Sequence, residues 1–109
     1  MDYTEIYAWG RDTEGQLGLG SKKDQVYILP KVCSFNILIR SVACGFNHTA
    51  LLTDTGHLYT MGSNEDGKLG LGPDVPHSAK NVPCLVTALQ DEFVRKVACG
   101  WTHSAALTD

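Results

Sequence analysis

Residues 6–20, IYAWGRDTEGQLGLG, recur as LYTMGSNEDGKLGLG at 58–72, a shift of 52 with no gap. A chain that repeats itself must build both copies with one local geometry, which removes most folds from consideration. Gly10 falls on Gly62, Gly15 on Gly67, Leu17 on Leu69, Gly18 on Gly70, Leu19 on Leu71 and Gly20 on Gly72. Pro30 matches Pro83 at a shift of 53, and IRSVACGFNHTALLTD at 39–54 matches VRKVACGWTHSAALTD at 94–109 at a shift of 55. That last alignment sets Cys44 on Cys99, Gly45 on Gly100 and His48 on His103. Both slips fall in stretches of weak apolar pattern, where loops tolerate insertion.

Neither copy has the apolar spacing of a helix, so the unit is built from short strands. Ile6 to Trp9 and Leu58 to Met61 are β-branched, aromatic and apolar runs, each closed by a glycine. A second strand is expected around Val32–Phe35 and Cys84–Ala88, starting behind the proline. LIRSVACG and FVRKVACG read as a third, with Val42 and Cys44 on one face and Ala43 on the other. HTALLTD and HSAALTD read as a fourth, and Asp54-Thr55-Gly56 turns the chain into the next copy. Four short antiparallel strands per unit make a propeller blade. The predicted architecture is all-β: a partial β-propeller of about two blades, with residues 1–56 as the first repeat and 57–109 as the second, truncated before its closing hairpin.

The glycine-rich stretch EGQLGLG at 14–20 invites a phosphate reading, because such loops let backbone N–H groups converge on an anion. Neither template fits. Gly15 and Gly20 have the GxxxxG spacing, but Ser21-Lys22 reverses the Lys-Ser/Thr order that a P-loop needs. As a dinucleotide fingerprint the close glycine pair comes last instead of first. In the second copy the lysines after the loop are gone while the glycines and leucines stay. The shape is kept and the charge is not, so the loop is expected to turn a corner.

YAWGxxxxGQLGLG, a proline some ten residues on, and VACGxxHTALLTDTGxLY together closely resemble the repeat of the regulator of chromosome condensation family. That resemblance covers nearly the whole chain and implies seven-bladed β-propellers. WD-repeat and kelch patterns fit worse, since Trp9 is followed by Gly10 and no double glycine occurs. Members act as guanine-nucleotide exchange factors for a small nuclear GTPase, as chromatin-binding proteins, as ciliary scaffolds and as accessory domains beside kinases or ubiquitin ligases. The resemblance therefore implies a non-enzymatic interaction module with a protein partner, a small GTPase or another; exchange activity is the alternative. In the family's closed ring the first and last strands complete one shared blade. Two repeats cannot close on themselves, so the chain is expected to be part of a longer propeller or to associate with further repeats through strand edges.

With 109 residues, 43% of them apolar, the chain has material for one modest core. Nine Lys and Arg against twelve Asp and Glu give a net charge of -3, which offers no footprint for nucleic acid or an anionic membrane. The acidic opening MDYTEIYAWG is not a secretory signal, so a cytoplasmic or nuclear protein with reduced thiols is expected and the sequon at Asn47-His48-Thr49 is expected to be unused.

A residue present in both copies is expected to serve the blade. Cys44 and His48 with Cys99 and His103 have the donor types of a zinc site. Equivalent positions on successive blades instead suggest small thiols packing against the next blade and a histidine bonded to backbone, so no metal or cofactor is expected. No nucleophile has a base and an orienting acid in sequence pattern, and no catalytic residue is assigned. Asp54 and Asp109 read as turn residues, Arg40 and Arg95 as structural, and Trp9 and Trp101 as inter-blade packing. Loop residues that differ between the copies are the candidate partner contacts: Arg11, Lys22, Lys23 and Asp24 in the first unit, Glu65, Asp66, Asp74 and His77 in the second.

Overall fold

The computed structural model describes residues 4–19, 26–35, 37–73, 75 and 79–109. Among them are eight strands: β1 Thr4–Arg11, β2 Val26–Phe35, β3 Ile39–Cys44, β4 His48–Thr53, β5 Leu58–Gly62, β6 Lys80–Leu85, β7 Val94–Cys99 and β8 Ser104–Thr108. They form an antiparallel sheet in the order β3-β4-β5-β6, flanked by the two-stranded sheets β1-β2 and β7-β8. All pairing is antiparallel. The four-stranded blade draws β3 and β4 from before Gly56 and β5 and β6 from after it, so it straddles the point where the sequence repeat restarts.

β4 pairs on both edges and is buried at every position, because a sheet also covers each of its faces. Leu51 and Leu52 are 1% and 0% exposed, and burial of each contributes roughly 1.5–3 kcal/mol. The strand period of two sorts its residues. Ala50, with Leu58 and Val86, packs toward Val97 and Cys99 of β7. Thr49, Leu51 and Met61 face Ile6 to Trp9 of β1 across a cavity of 260 Å³. A matching cavity of 330 Å³ lies between the blade and β7-β8. Ile6, Ala8, Leu17, Val42, Thr49 and Leu51 line the first, and their repeat counterparts Leu58, Thr60, Leu69, Val97, Ser104 and Ala106 line the second. The two inter-sheet joints are thus copies of each other.

The β4–β5 hairpin closes through Gly56 N–H to Thr53 O and Thr53 N–H to His57 O. The side chain that bonds the turn backbone is Thr53, whose Oγ1 accepts from the His57 N–H at 3.0 Å. Two strand limits differ from the sequence reading. β2 and β6 begin before Pro30 and Pro83 instead of behind them, and Thr87–Leu89 is a 3-10 turn. Each proline sits in a strand paired on one side, where the partner register shifts between Ala8 and Gly10 and between Thr60 and Gly62. An edge bulge of this kind does not need the N–H that proline lacks.

Candidate interaction face

Each glycine-rich corner is organised by a buried side chain at its start. In the first, Asp12 Oδ1 accepts from the Leu17 N–H at 2.9 Å, and its carbonyl accepts from Gly15 N–H. In the second, Asn64 Oδ1 accepts from the Leu69 N–H at 3.2 Å, and its carbonyl accepts from Gly67 N–H. Gly15 and Gly18 have φ of 80° and 70°, and Gly67 and Gly70 repeat them at 70° and 69°. These left-handed angles are open to glycine without the Cβ penalty. The Gly15, Leu17 and Gly18 amides, like those of Gly67, Leu69 and Gly70, are bonded inside their own corner. Gly10, Gly62 and Gly72 also have positive φ, Leu69 is 1% exposed, and Leu17, Leu19 and Leu71 are half-buried.

Successive sheets are joined by a hydroxyl that reaches back to the corner. Thr49 Oγ1 donates to the Gln16 carbonyl at 2.8 Å, and its counterpart Ser104 Oγ donates to the Lys68 carbonyl at 2.8 Å. His48, 1% exposed, joins the second contact: its Nε2 lies 2.9 Å from Ser104 Oγ. Since the Ser104 hydrogen points to Lys68 O, His48 carries its proton on Nε2 and donates to the serine. Its Nδ1 is buried with no hydrogen-bond partner among the described residues. Burial first, and then the nearby Lys68 charge, hold the imidazole pKa below its ordinary 6.5.

The motif's glycine makes room for this ring. A Cβ on Gly45 would overlap the His48 imidazole and lie 2.6 Å from the Gly100 carbonyl. Gly100 stands in the same relation to the His103 ring, although His103 itself is exposed. Cys44 and His48 face opposite sides of their sheet. Cys44 lines the β1-facing cavity with Val42 and Leu51, while His48 turns to the opposite side and meets Ser104. Cys99 Sγ donates to the Ala43 carbonyl of the preceding sheet at 3.7 Å, and burial pushes its thiol pKa up. Cys44 is exposed, which differs from the packed thiol expected, because the face of β3 bearing Val42 and Cys44 opens into the cavity. Arg40 bridges to β7 by donating to the Val94 and Arg95 carbonyls at 3.4 and 3.2 Å, with its guanidinium over Phe93. Arg95 pairs with Asp109 at 2.8 Å.

The residue after each of these glycines, Gly45 and Gly100, is an exposed aromatic. Phe46 and Trp101, matched positions of successive repeats, stack with ring centroids 4.0 Å apart and planes 7° apart. Packing across the joint leaves Phe46 54% and Trp101 65% exposed. Trp9 is 60% exposed, so neither tryptophan is the buried inter-blade filler expected. Beneath the stack, Lys68 Nζ donates to Asn47 Oδ1 and to the Trp101 carbonyl, fixing the second corner against both aromatic loops. Glu65 and Asp66 of that corner are exposed, and Arg11 is exposed at the end of β1. Gly20, Lys22, Lys23, Asp24, Asp74 and His77 lie outside the described residues.

The regulator of chromosome condensation (RCC1) repeat model matches residues 5–52 and 55–107, and a second model of the same description matches 39–68. This chain belongs to the RCC1 repeat family. It is similar to the ultraviolet-B receptor UVR8 of Arabidopsis thaliana, 40% identical over 105 residues that make up 95% of this chain and 23% of UVR8. It is 38% identical to the secretion-regulating guanine nucleotide exchange factor of Mus musculus, over 95% of this chain and 22% of that protein. Among solved structures it superposes on yeast RCC1 (Prp20), seen bound to Kap60, with a TM-score of 0.83 and 25% identity, covering 94% of this chain and 26% of that one. The chain spans about a quarter of the length of each of these RCC1-repeat proteins.

Four positions that build the corners and joints were not singled out by the sequence reading: Asp12 with Asn64, and Thr49 with Ser104. All four sit at matched places in the two repeats, and that alignment was the available signal.

Proposed function

We propose that this chain is a non-enzymatic interaction module: RCC1 repeats that hold the loops of neighbouring blades side by side for a protein partner. One observation carries the reading. Within Cys-Gly-x-x-His, Gly45 and His48 are consumed in the joint, while Phe46 and Trp101 are presented together on the surface. Large aromatic area held rigid beside polar loops is the composition of a binding patch, not of an acid–base site. The corner and aromatic loops are expected to be the partner-facing side, and further propeller repeats, from the same or another chain, to cover the sheet edges.

A second reading is exchange activity on a small GTPase, favoured by the likeness to the secretion-regulating exchange factor. Against it, the two repeats differ in length by slips of one and two residues, three in all, too short for a wedge into a nucleotide site. Two measurements test the assignment. Chemical cross-linking to a protein partner should place the links at residues 45–47, 64–67 and 100–103; links confined to β2 or β6 would contradict it. Release of labelled GDP from small GTPases should be unchanged at high concentrations of the chain; acceleration would move the assignment to exchange.

A further inference from the structure

We infer that the Phe46–Trp101 stack is a docking platform for an arginine side chain of a partner protein. This rests on the interaction-module reading and names the chemistry that the face selects. The stack is built by two loops of successive sheets and is more than half exposed on both rings. Its geometry is fixed from below, since Lys68 ties Asn47, next to Phe46, to the Trp101 carbonyl. A rigid, open aromatic face attracts a cation through the ring quadrupole, and arginine in particular because its planar guanidinium stacks on the ring.

The surrounding charge has the complementary sign. Glu65 and Asp66, both exposed, stand on the corner that Lys68 fastens beneath Trp101. Asp66 also lines the same cavity wall as Thr102 and His103, which follow Trp101. The cation within this corner, Lys68, is 7% exposed and turned inward onto two oxygens, so the outward charge of the corner is that of the two carboxylates. A guanidinium lying on the rings has the two carboxylates of the neighbouring corner as planar acceptors, which an acidic or purely apolar segment cannot use.

Tryptophan emission tests this directly. Trp9→Phe leaves Trp101 as the single indole of a chain with two tryptophans. Titration with a Gly-Ser-Arg repeat peptide should change the emission and saturate below about 1 mM, at least ~10-fold more tightly than the Gly-Ser-Glu peptide. The Gly-Ser-Lys peptide should bind about threefold more weakly than the arginine peptide, lacking the stacking plane. Glu65→Gln with Asp66→Asn should weaken arginine-peptide binding by about tenfold, and 1 M salt should do the same. Both substitutions are on exposed loop positions, and unchanged circular dichroism would show that the sheets are intact. Equal binding of the glutamate peptide, no saturation below about 10 mM, or an unchanged affinity in the charge variant would each overturn the inference. An emission change driven by the concentration of the chain alone would also overturn it, by making a second copy the occupant. Cross-links to a partner at this face with no arginine-peptide binding would remove this inference and leave the interaction-module reading in place.

Discussion

Gly45 and Gly100 occupy one place in the repeat and yet differ in what a methyl group would strike. At Gly45 the added carbon meets both the buried His48 ring and the Gly100 backbone carbonyl; at Gly100 the three nearest atoms all belong to the ring of the exposed His103. Backbone cannot yield as a surface side chain can, so Gly45→Ala should cost about 2–3 kcal/mol and Gly100→Ala under about 1 kcal/mol. Urea denaturation of the two variants would show the difference in midpoint. His48 adds a pH dependence of fixed sign. Its pKa is lowered in the folded chain, so the unfolded chain binds the proton more readily and stability rises with pH across the interval. The contribution is complete above the ordinary 6.5 and is lost as the pH falls below it through the lowered folded value. Denaturation midpoints at pH 7.5 and 5.5 should therefore differ more in the native sequence than in His48→Gln, which keeps a donor but does not titrate there.

Between elements, the joints rest on two equivalent hydroxyls. Thr49→Val should cost roughly 1 kcal/mol by leaving the Gln16 carbonyl unpaired, and Ser104→Ala roughly 2 kcal/mol, since it leaves both the Lys68 carbonyl and the buried His48 Nε2 without their partner. The bonds belong to separate joints, so the double variant should show the sum of the two losses by urea denaturation. The prolines give a complementary test. Pro83→Ala on the edge strand β6 should change stability by less than about 1 kcal/mol, whereas Thr60→Pro on β5, paired on both sides, should cost more than about 3 kcal/mol. The glycine corners and strand sites were legible in the sequence because repetition marked them without reference to a partner. The hydroxyls were not, since a threonine at a strand start shows nothing of the carbonyl it meets 33 residues away. Asp12 and Asn64 were hidden by unlike charge, although both act through the same side-chain oxygen. The tryptophans were placed in the joint on area alone. Area does not say which face of a ring is covered, and at Trp101 the answer is one face against Phe46 and the other open.

Across the whole molecule, one blade lies between two half-sheets, and both joints are built from the same list of positions. That regularity leaves function to the residues that the joint does not use, which lie where loops of successive blades meet. The sequence could mark Glu65 and Asp66 as loop positions that differ between the repeats, but not that Lys68 would bring their corner against Trp101, a contact made across 33 residues. The amide resonances of the 15N-labelled chain, followed during titration with the Gly-Ser-Arg peptide, test the central claim most directly. Shifts confined to residues 45–47, 64–67 and 100–103, with β4 and its neighbours unmoved, are the predicted result. Shifts centred on β2 or β6, or spread through the joints at His48, Thr49 and Ser104, would contradict a face that binds while the blades hold still.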